Sequence, residues 1–255
     1  MSPCTQSCPR LYVEDPLTGG ASLALGEKQS HYLVNVMRLK EGDGVTLFNG
    51  QDGEWSTIVE HASKKRVELL LREQLRPQSP SPDLWLIAAP LKTGKSEKVL
   101  EQATELGISG FIPVTTRYTV VHRMNHERLS AIAIEASEQC ERLDVPQVRE
   151  LTPLTNLLGG WDPARKLIYG DESGAGKQAK ELFPALGSGK YAVLIGPEGG
   201  FSAEELALLA SLDYAYALCM GPRIMRADTA AIAAVTLAQS WLGDWKAKPA
   251  FRSQG

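Results

Sequence analysis

Through the first third of the chain, apolar and polar residues alternate with a period of two; beyond it, longer apolar runs are separated by amphipathic stretches. The segments "ASLAL", "GVTLF", "EWSTIVEHA" and "RVELLLRE" carry the alternation of half-buried strands. Between the second and third, "NGQDGE" has the residues of a hairpin turn. Short strands joined by tight turns predict a small β-barrel or sandwich, with one helix around Lys28 to Met37 packed across its end.

The seam is "REQLRPQSPSPDL", Arg72 to Leu84, where prolines and serines interrupt any regular element. It sets the expected organisation: a barrel over residues 1–74, a linker over 75–83, a second domain over 84–245 and a loose tail over 246–255. In the second domain, "LWLIAAP", "GFIPVTT", "KLIYG", "YAVLIG" and "YALCM" read as buried strands. Helices are expected from about Ser96 to Leu106 and Glu127 to Arg142. Buried strands separated by helices predict an α/β domain with a mostly parallel sheet covered on both faces. Ligands of such sheets bind beyond the carboxyl ends of the strands.

Composition narrows the function classes. The chain has 255 residues, 43% hydrophobic and 22% charged, enough for two cores. No apolar run reaches the roughly 20 residues of a membrane span, and "MSPCTQSCPR" lacks the layout of a signal peptide. A cytoplasmic protein with no membrane partner is expected. Cys4, Cys8, Cys140 and Cys219 suggest neither a disulfide framework nor a zinc site. His122 and His126 have metal-ligand spacing but no third ligand, so no metal is expected. The net charge of −3 argues against a uniformly basic nucleic-acid binder, leaving room for local basic faces at Lys64, Lys65, Arg66 and at Lys92, Lys95, Lys98.

Two segments look like phosphate loops and fail. "APLKTGKS" has Ala89 where the first glycine belongs, and "GDESGAGKQ" has Gln178 where a magnesium-binding hydroxyl belongs. More informative is "YAVLIGPEGGFSAEEL". A buried strand stops at Gly196 and Pro197; Gly199 and Gly200 permit positive φ and close approach of a ligand to the backbone. Ser202 and Glu205 then form a capping box. This bend holds the Glu198 carboxylate at the sheet's carboxyl end. A second bend, "YALCMGPRIMRADTA", turns at Gly221 and Pro222 into an Ala-rich helix capped by Asp228 or Thr229. Arg226, just ahead of that helix's positive end, gains nothing from the dipole. It calls for a partner, either an internal carboxylate or a substrate anion.

These residues carry a resemblance. "LIGPEGGFSAEEL" followed by "MGPRIMRADTA" resembles the paired signature of the SPOUT-class RNA methyltransferases, specifically the family that makes 3-methyluridine in bacterial small-subunit ribosomal RNA. "RLYV" from Arg10, "HYLVNVMRLKEGD" and "SKKRVEL" resemble its N-terminal RNA-binding barrel, of PUA or OB type. "KSEKVLEQATELGISGFIPVTTRY" and "EASEQCERLDVP" resemble its catalytic half. The resemblance implies a trefoil knot in the C-terminal domain, S-adenosylmethionine in the knotted loops, and a homodimer acting on ribosomal RNA of the small subunit. It implies a cofactor pocket of Leu194, Ile195, Gly196, Gly199 and Gly200 from the first bend, with Leu218, Met220, Gly221, Ile224 and Met225 from the second.

In the same reading Arg226 stabilises a deprotonated uridine and Glu198 positions the loop or the substrate. RNA contacts are expected from Arg10, His31, Arg38, Lys64, Lys65 and Arg66 of the barrel, with Arg117 and Arg142 beside the site. The sequence departs from the pattern at Ala227 and Asp228, where threonine and glutamate are usual. Two rivals follow: a noncatalytic RNA-binding protein that kept the fold, and a nucleotide-phosphate enzyme using "KTGKS".

Overall fold

In the computed structural model, which describes residues 8–63, 65–92 and 94–247, the alternating segments pair into one sheet and the longer apolar runs into another. The chain forms two units. Of the described residues, the first unit reaches Pro80 and includes Ser137–Asp144, and the second comprises Ser81–Ala136 and Val145 to Ala247.

The first unit is built on five strands: β1 (Arg10–Tyr12), β2 (Ser22–Ala24), β3 (Gly44–Phe48), β4 (Glu54–Ala62) and β5 (Val67–Arg76). Their order is β1-β3-β4-β5-β2. β3, β4 and β5 are antiparallel neighbours, while β1 joins β3 in parallel. Among the described residues β1 and β2 are the two edges of this sheet and are not paired with each other. Leu11, Leu47, Val59, Leu69 and Leu71 form its core. The expected helix is split: α1 (Glu27–His31) passes into a π-helical turn, Tyr32–Val36. That wider turn buries Leu33 completely and leaves Tyr32, Val36 and Met37 exposed.

Glu54 ties this unit together. Its side chain is 0% exposed, and its two oxygens accept from Arg10 Nε at 2.7 Å and Arg76 Nε at 2.5 Å. Arg10 also donates to the carbonyls of Ser137 and Arg142 and lies 3.7 Å from the Phe48 ring centroid. Arg76 donates to Glu141 O at 2.7 Å. β5 therefore runs into the segment expected to be linker, because Arg76 is needed as a partner. Cys8 is disulfide-bonded, against expectation.

The second unit contains β6 (Leu84–Ala88), α2 (Lys95–Glu105), β7 (Gly110–Thr115), α3 (His126–Gln139), β8 (Gln147–Val148), β9 (Thr152–Pro153) and α4 (Leu154–Gly159). It continues with β10 (Arg165–Gly170), β11 (Lys177–Gln178), α5 (Ala179–Leu186), β12 (Lys190–Ile195), α6 (Ala203–Ala210), β13 (Ala215–Cys219) and α7 (Ala227–Leu242). The sheet order is β11-β13-β10-β12-β6-β7-β8, with β9 beside β7, and every recorded pairing is parallel. Unbroken apolar runs follow from burial on both faces. In β6, Leu86 joins the core under α2, α5 and α7, while Ile87 joins the core under α4 and α6. Ala230, Ala231, Ala234 and Ala238 let α7 lie close to the sheet.

Two helix ends differ from expectation. α3 stops at Gln139, short of Arg142; Glu141 has φ 61, a left-handed turn no helix can continue through. α7 is capped by Arg226 backbone, not by Asp228 or Thr229. Asp228 is engaged elsewhere, with Lys95. No helix of the described residues is long and apolar enough to cross a membrane. Lys64, Thr93 and the tail from 248 lie outside the described residues.

Burial by itself pushes the Glu54 carboxyl up, but hydrogen bonds from Arg76 and Arg10 outweigh it, and the group sits below its ordinary value of 4.5. A depressed carboxyl stabilises the fold fully above its unfolded value and loses that contribution as pH falls through the folded one. Glu54→Gln is expected to cost about 3–5 kcal/mol by stranding two guanidinium groups. Denaturant titrations across the acid range check both the loss and a flattened pH dependence in the variant.

Candidate functional site

β10 lies between β12 and β13, in register Tyr169↔Leu194 and Gly170↔Leu218. Parallel pairing puts the carboxyl ends of all three strands side by side, and the loops leaving them enclose one cavity of about 500 Å³. That volume falls within the roughly 300–1,000 Å³ of cofactor and small-molecule sites. Ile195, Phe201, Leu206, Met220 and Met225 supply apolar walls; Asp171, Glu172, Glu198, Arg223 and Arg226 supply charge.

Local chemistry fixes each loop. In the first, Gly200 N donates to Pro197 O at 2.9 Å, with Gly200 at φ 69. The capping box is formed: Ser202 Oγ accepts from Glu205 N at 3.2 Å and Glu205 Oε2 from Ser202 N at 2.8 Å. The remaining oxygen, Oε1, accepts from Arg117 N at 2.8 Å. In the loop after β10, Asp171 N donates to Leu218 O at 3.1 Å, and Asp171 Oδ1 accepts from Ser173 N at 2.9 Å. Gly176 then passes so near β13 that a Cβ would lie 2.9 Å from Cys219 N.

The third loop turns at Gly221 and delivers Arg226 as the N-cap of α7, its carbonyl accepting from Ala230 N at 2.8 Å. Arg226 is exposed, lines the cavity and has no ion-pair partner among the described residues. Of the two partners open to it from sequence, an internal carboxylate is therefore not found among the described residues. The first turn of α7 is held independently. Asp228 Oδ2 lies 3.0 Å from Lys95 Nζ, and its Oδ1 accepts from Thr229 N at 3.0 Å. The hydrogen bond from Lys95, then that from Thr229, keep the Asp228 carboxyl below the ordinary carboxylate range. Ala227 is buried. The two departures from the familiar pattern thus leave no orphaned group.

The cavity brings together Ile195, Gly196, Glu198, Gly200, Met220, Gly221, Ile224, Met225 and Arg226. Leu194 and Leu218 do not line it: both are 0% exposed in the cores beside the sheet, because side chains alternate along a strand. Gly199 faces Tyr118. Sequence reasoning missed the wall formed by Gly170, Asp171, Glu172 and Gly174, as well as Arg223. The signal was present in "KLIYGDESGAGK", another apolar strand running into glycines.

The basic residues divide sharply. Arg10 is buried and Arg142, with a side chain 9% exposed, is paired with Asp144 at 2.9 Å, so neither presents a free guanidinium to RNA. Arg66 is exposed but pairs with Glu68 at 2.8 Å. His31, Arg38 and Lys65 are exposed on the first unit, and Arg117 on the second; Lys64 is outside the described residues. The "KTGKS" loop is used internally: Lys95 holds Asp228, and the buried Ser96 hydroxyl accepts from Leu91 N at 2.7 Å. Among the described residues no group of three or more metal-ligating side chains converges.

Gly200 is doubly constrained: besides its φ, an added Cβ would lie 2.4 Å from Glu172 Oε1. Gly200→Ala is expected to lose about 1–2 kcal/mol from the left-handed backbone alone, plus the cost of displacing Glu172. Pairing it with Glu172→Ala should recover only the second part, which thermal unfolding of the two variants resolves.

Comparison with known proteins bears on this architecture. The family described as "RNA methyltransferase domain" matches residues 77–239, and that described as "RNA methyltransferase PUA domain" matches residues 25–72. A ribosomal RNA small subunit methyltransferase E of Rickettsia conorii is 33% identical over 228 residues, 89% of this chain and 93% of that protein. A putative methyltransferase of Legionella pneumophila, solved in complex with the bound cofactor SAM, superposes with TM-score 0.83 at 29% identity, covering 93% of this chain and 99% of that one. A ribosomal RNA small subunit methyltransferase E of Neisseria gonorrhoeae bound to S-adenosyl methionine gives TM-score 0.84 at 26% identity, covering 94% and 100%. A PUA-like N-terminal domain followed by a methyltransferase domain places this chain in the RNA methyltransferase family, among the relatives of small-subunit methyltransferase E.

Proposed function

We propose that the protein transfers a methyl group from S-adenosylmethionine to N3 of a uridine in small-subunit ribosomal RNA, as a cytoplasmic homodimer whose C-terminal domain carries the SPOUT trefoil knot. The observation that carries this reading is the unpaired Arg226 guanidinium at the rim of the three-loop cavity.

The cavity fits the donor. Glycine backbone at Gly196 and Gly200 lets a flat ring approach, the Met220 and Met225 side chains offer polarisable apolar surface, and Asp171 and Glu172 are suited to hydroxyl and ammonium groups. When bound, S-adenosylmethionine supplies a methyl group on a cationic sulfur. The acceptor nitrogen attacks only after losing its proton. Arg226 favours that anion by facing the uracil oxygens where charge accumulates. The apolar walls of Ile195, Met220 and Met225 would exclude water from the place where the donor's cationic sulfur meets the N3 anion. Glu198, on the turn fixed by Gly200, orients the loop and substrate.

RNA affinity is assigned to the first unit. His31, Arg38 and Lys65 are exposed there, and Tyr32, Val36 and Met37 offer apolar surface on a π-helical turn, a feature frequent at functional sites. Dimerisation is supported by the exposed Trp241 and Trp245 at the end of α7. The noncatalytic alternative gains nothing from Ala227 and Asp228, which the structure accommodates.

The test is methylation of small-subunit ribosomal RNA with isotopically labelled donor, followed by mapping of the modified atom. The label should appear on uridine N3; label on another base, or none, contradicts the reading. Arg226→Ala should lower turnover by about 100-fold with donor affinity retained. Affinity for RNA should fall steeply as salt rises, with a shallower slope in Arg38→Ala.

A further inference from the structure

Tyr118 stands on the turn after β7 with half of its surface, 50%, exposed. The turn itself is held firmly. Thr116 N donates to Thr119 Oγ1 at 2.8 Å, Thr119 N donates to Thr116 O at 3.2 Å, and both threonines are buried. Its next residue, Arg117, donates its N–H to Glu205 Oε1, the same carboxylate whose other oxygen completes the cap of α6. One carboxylate therefore fixes the Tyr118 turn to the loop that carries Glu198.

The ring starts at that loop. A Cβ added at Gly199 would lie 3.0 Å from Tyr118 Cβ and 3.5 Å from its Cγ, so glycine is what allows the approach. Glu198, the adjacent residue, lines the cavity. The Tyr118 hydroxyl has no hydrogen-bond partner among the described residues, and the ring belongs to no core cluster. A large exposed aromatic on a rigid turn, packed beside Gly199 and so one residue from the cavity-lining Glu198, does little for stability, but it provides a preformed flat surface.

Building on the proposed function, we infer that Tyr118 is the stacking platform for the acceptor uracil. A base must leave its stack to bring a ring nitrogen to a buried donor, and single-stranded RNA bases stack on exposed aromatic rings. Tyr118 replaces the lost neighbour on one face of the uracil while Arg226 addresses its oxygens.

The experiment uses the full-length protein with small-subunit ribosomal RNA, comparing wild type, Tyr118→Ala and Tyr118→Phe. Losing one base–aromatic stack should lower kcat/KM for RNA by about 10-fold or more in the alanine variant, while phenylalanine restores it and calorimetric affinity for S-adenosylmethionine is the same in all three. Undiminished methylation by Tyr118→Ala overturns the inference. So does a parallel loss of donor affinity, which would make the ring a brace for Gly199. A phenylalanine variant as impaired as alanine would assign the effect to the hydroxyl and also overturn stacking. If wild type methylates no uridine, the proposed function fails separately. Stacking is then read from Tyr118→Trp, whose added fluorescence over wild type should be quenched by a uridine-rich oligonucleotide; no quenching overturns it.

Discussion

The site depends on the parallel placement of β10 between β12 and β13. Because neighbouring parallel strands end on the same side, three stretches far apart in sequence, at Gly170, Ile195 and Cys219, release their loops into one small volume. The strands are buried on both faces, so their register cannot slip without turning core residues such as Ile168 and Val193 out of place. The cavity is thus a consequence of the core. Glycines and caps only shape what the sheet has already brought together.

A second principle is how arginines are spent. Arg10 and Arg165 are buried and satisfied: the first by Glu54, the second by Asp83, at 2.6 and 3.0 Å, and by the Trp85 ring at 3.7 Å. Arg142 is tied to Asp144. Arg226 differs in kind. Its backbone is fixed as a helix cap and the first turn of that helix is anchored through Asp228 and Lys95, but its guanidinium is left to the cavity. Fixed backbone and an unpaired charge are what electrostatic stabilisation of a developing anion requires.

Much of this was legible in the sequence. β3 matches "GVTLF" in position, although the strand is buried along its whole length where alternation reports a half-buried one, and the capping box at Ser202 and Glu205 is local chemistry that needs no tertiary information. What could not be read was set by distant partners. Arg10 looked like an RNA contact, yet its carboxylate lies 44 residues away at Glu54. Asp228 looked like a helix cap until Lys95, on another helix, claimed it. β8, β9 and β11 span two residues each and have no period to detect. Leu194 and Leu218 sit in the right segments, but which face of a buried strand meets a ligand is decided by the sheet. The acidic loop after β10 fails as a phosphate-binding pattern, yet its position after an apolar strand marks it as a wall of the same cavity.

The central claim is that loops 171–176, 196–202 and 220–226 form one donor site. Hydrogen exchange of the full-length protein with and without S-adenosylmethionine tests it most directly. Amide protection should rise in all three loops together, at donor concentrations that saturate a single site. Protection confined to one loop, or centred on the "KTGKS" turn, would contradict the account.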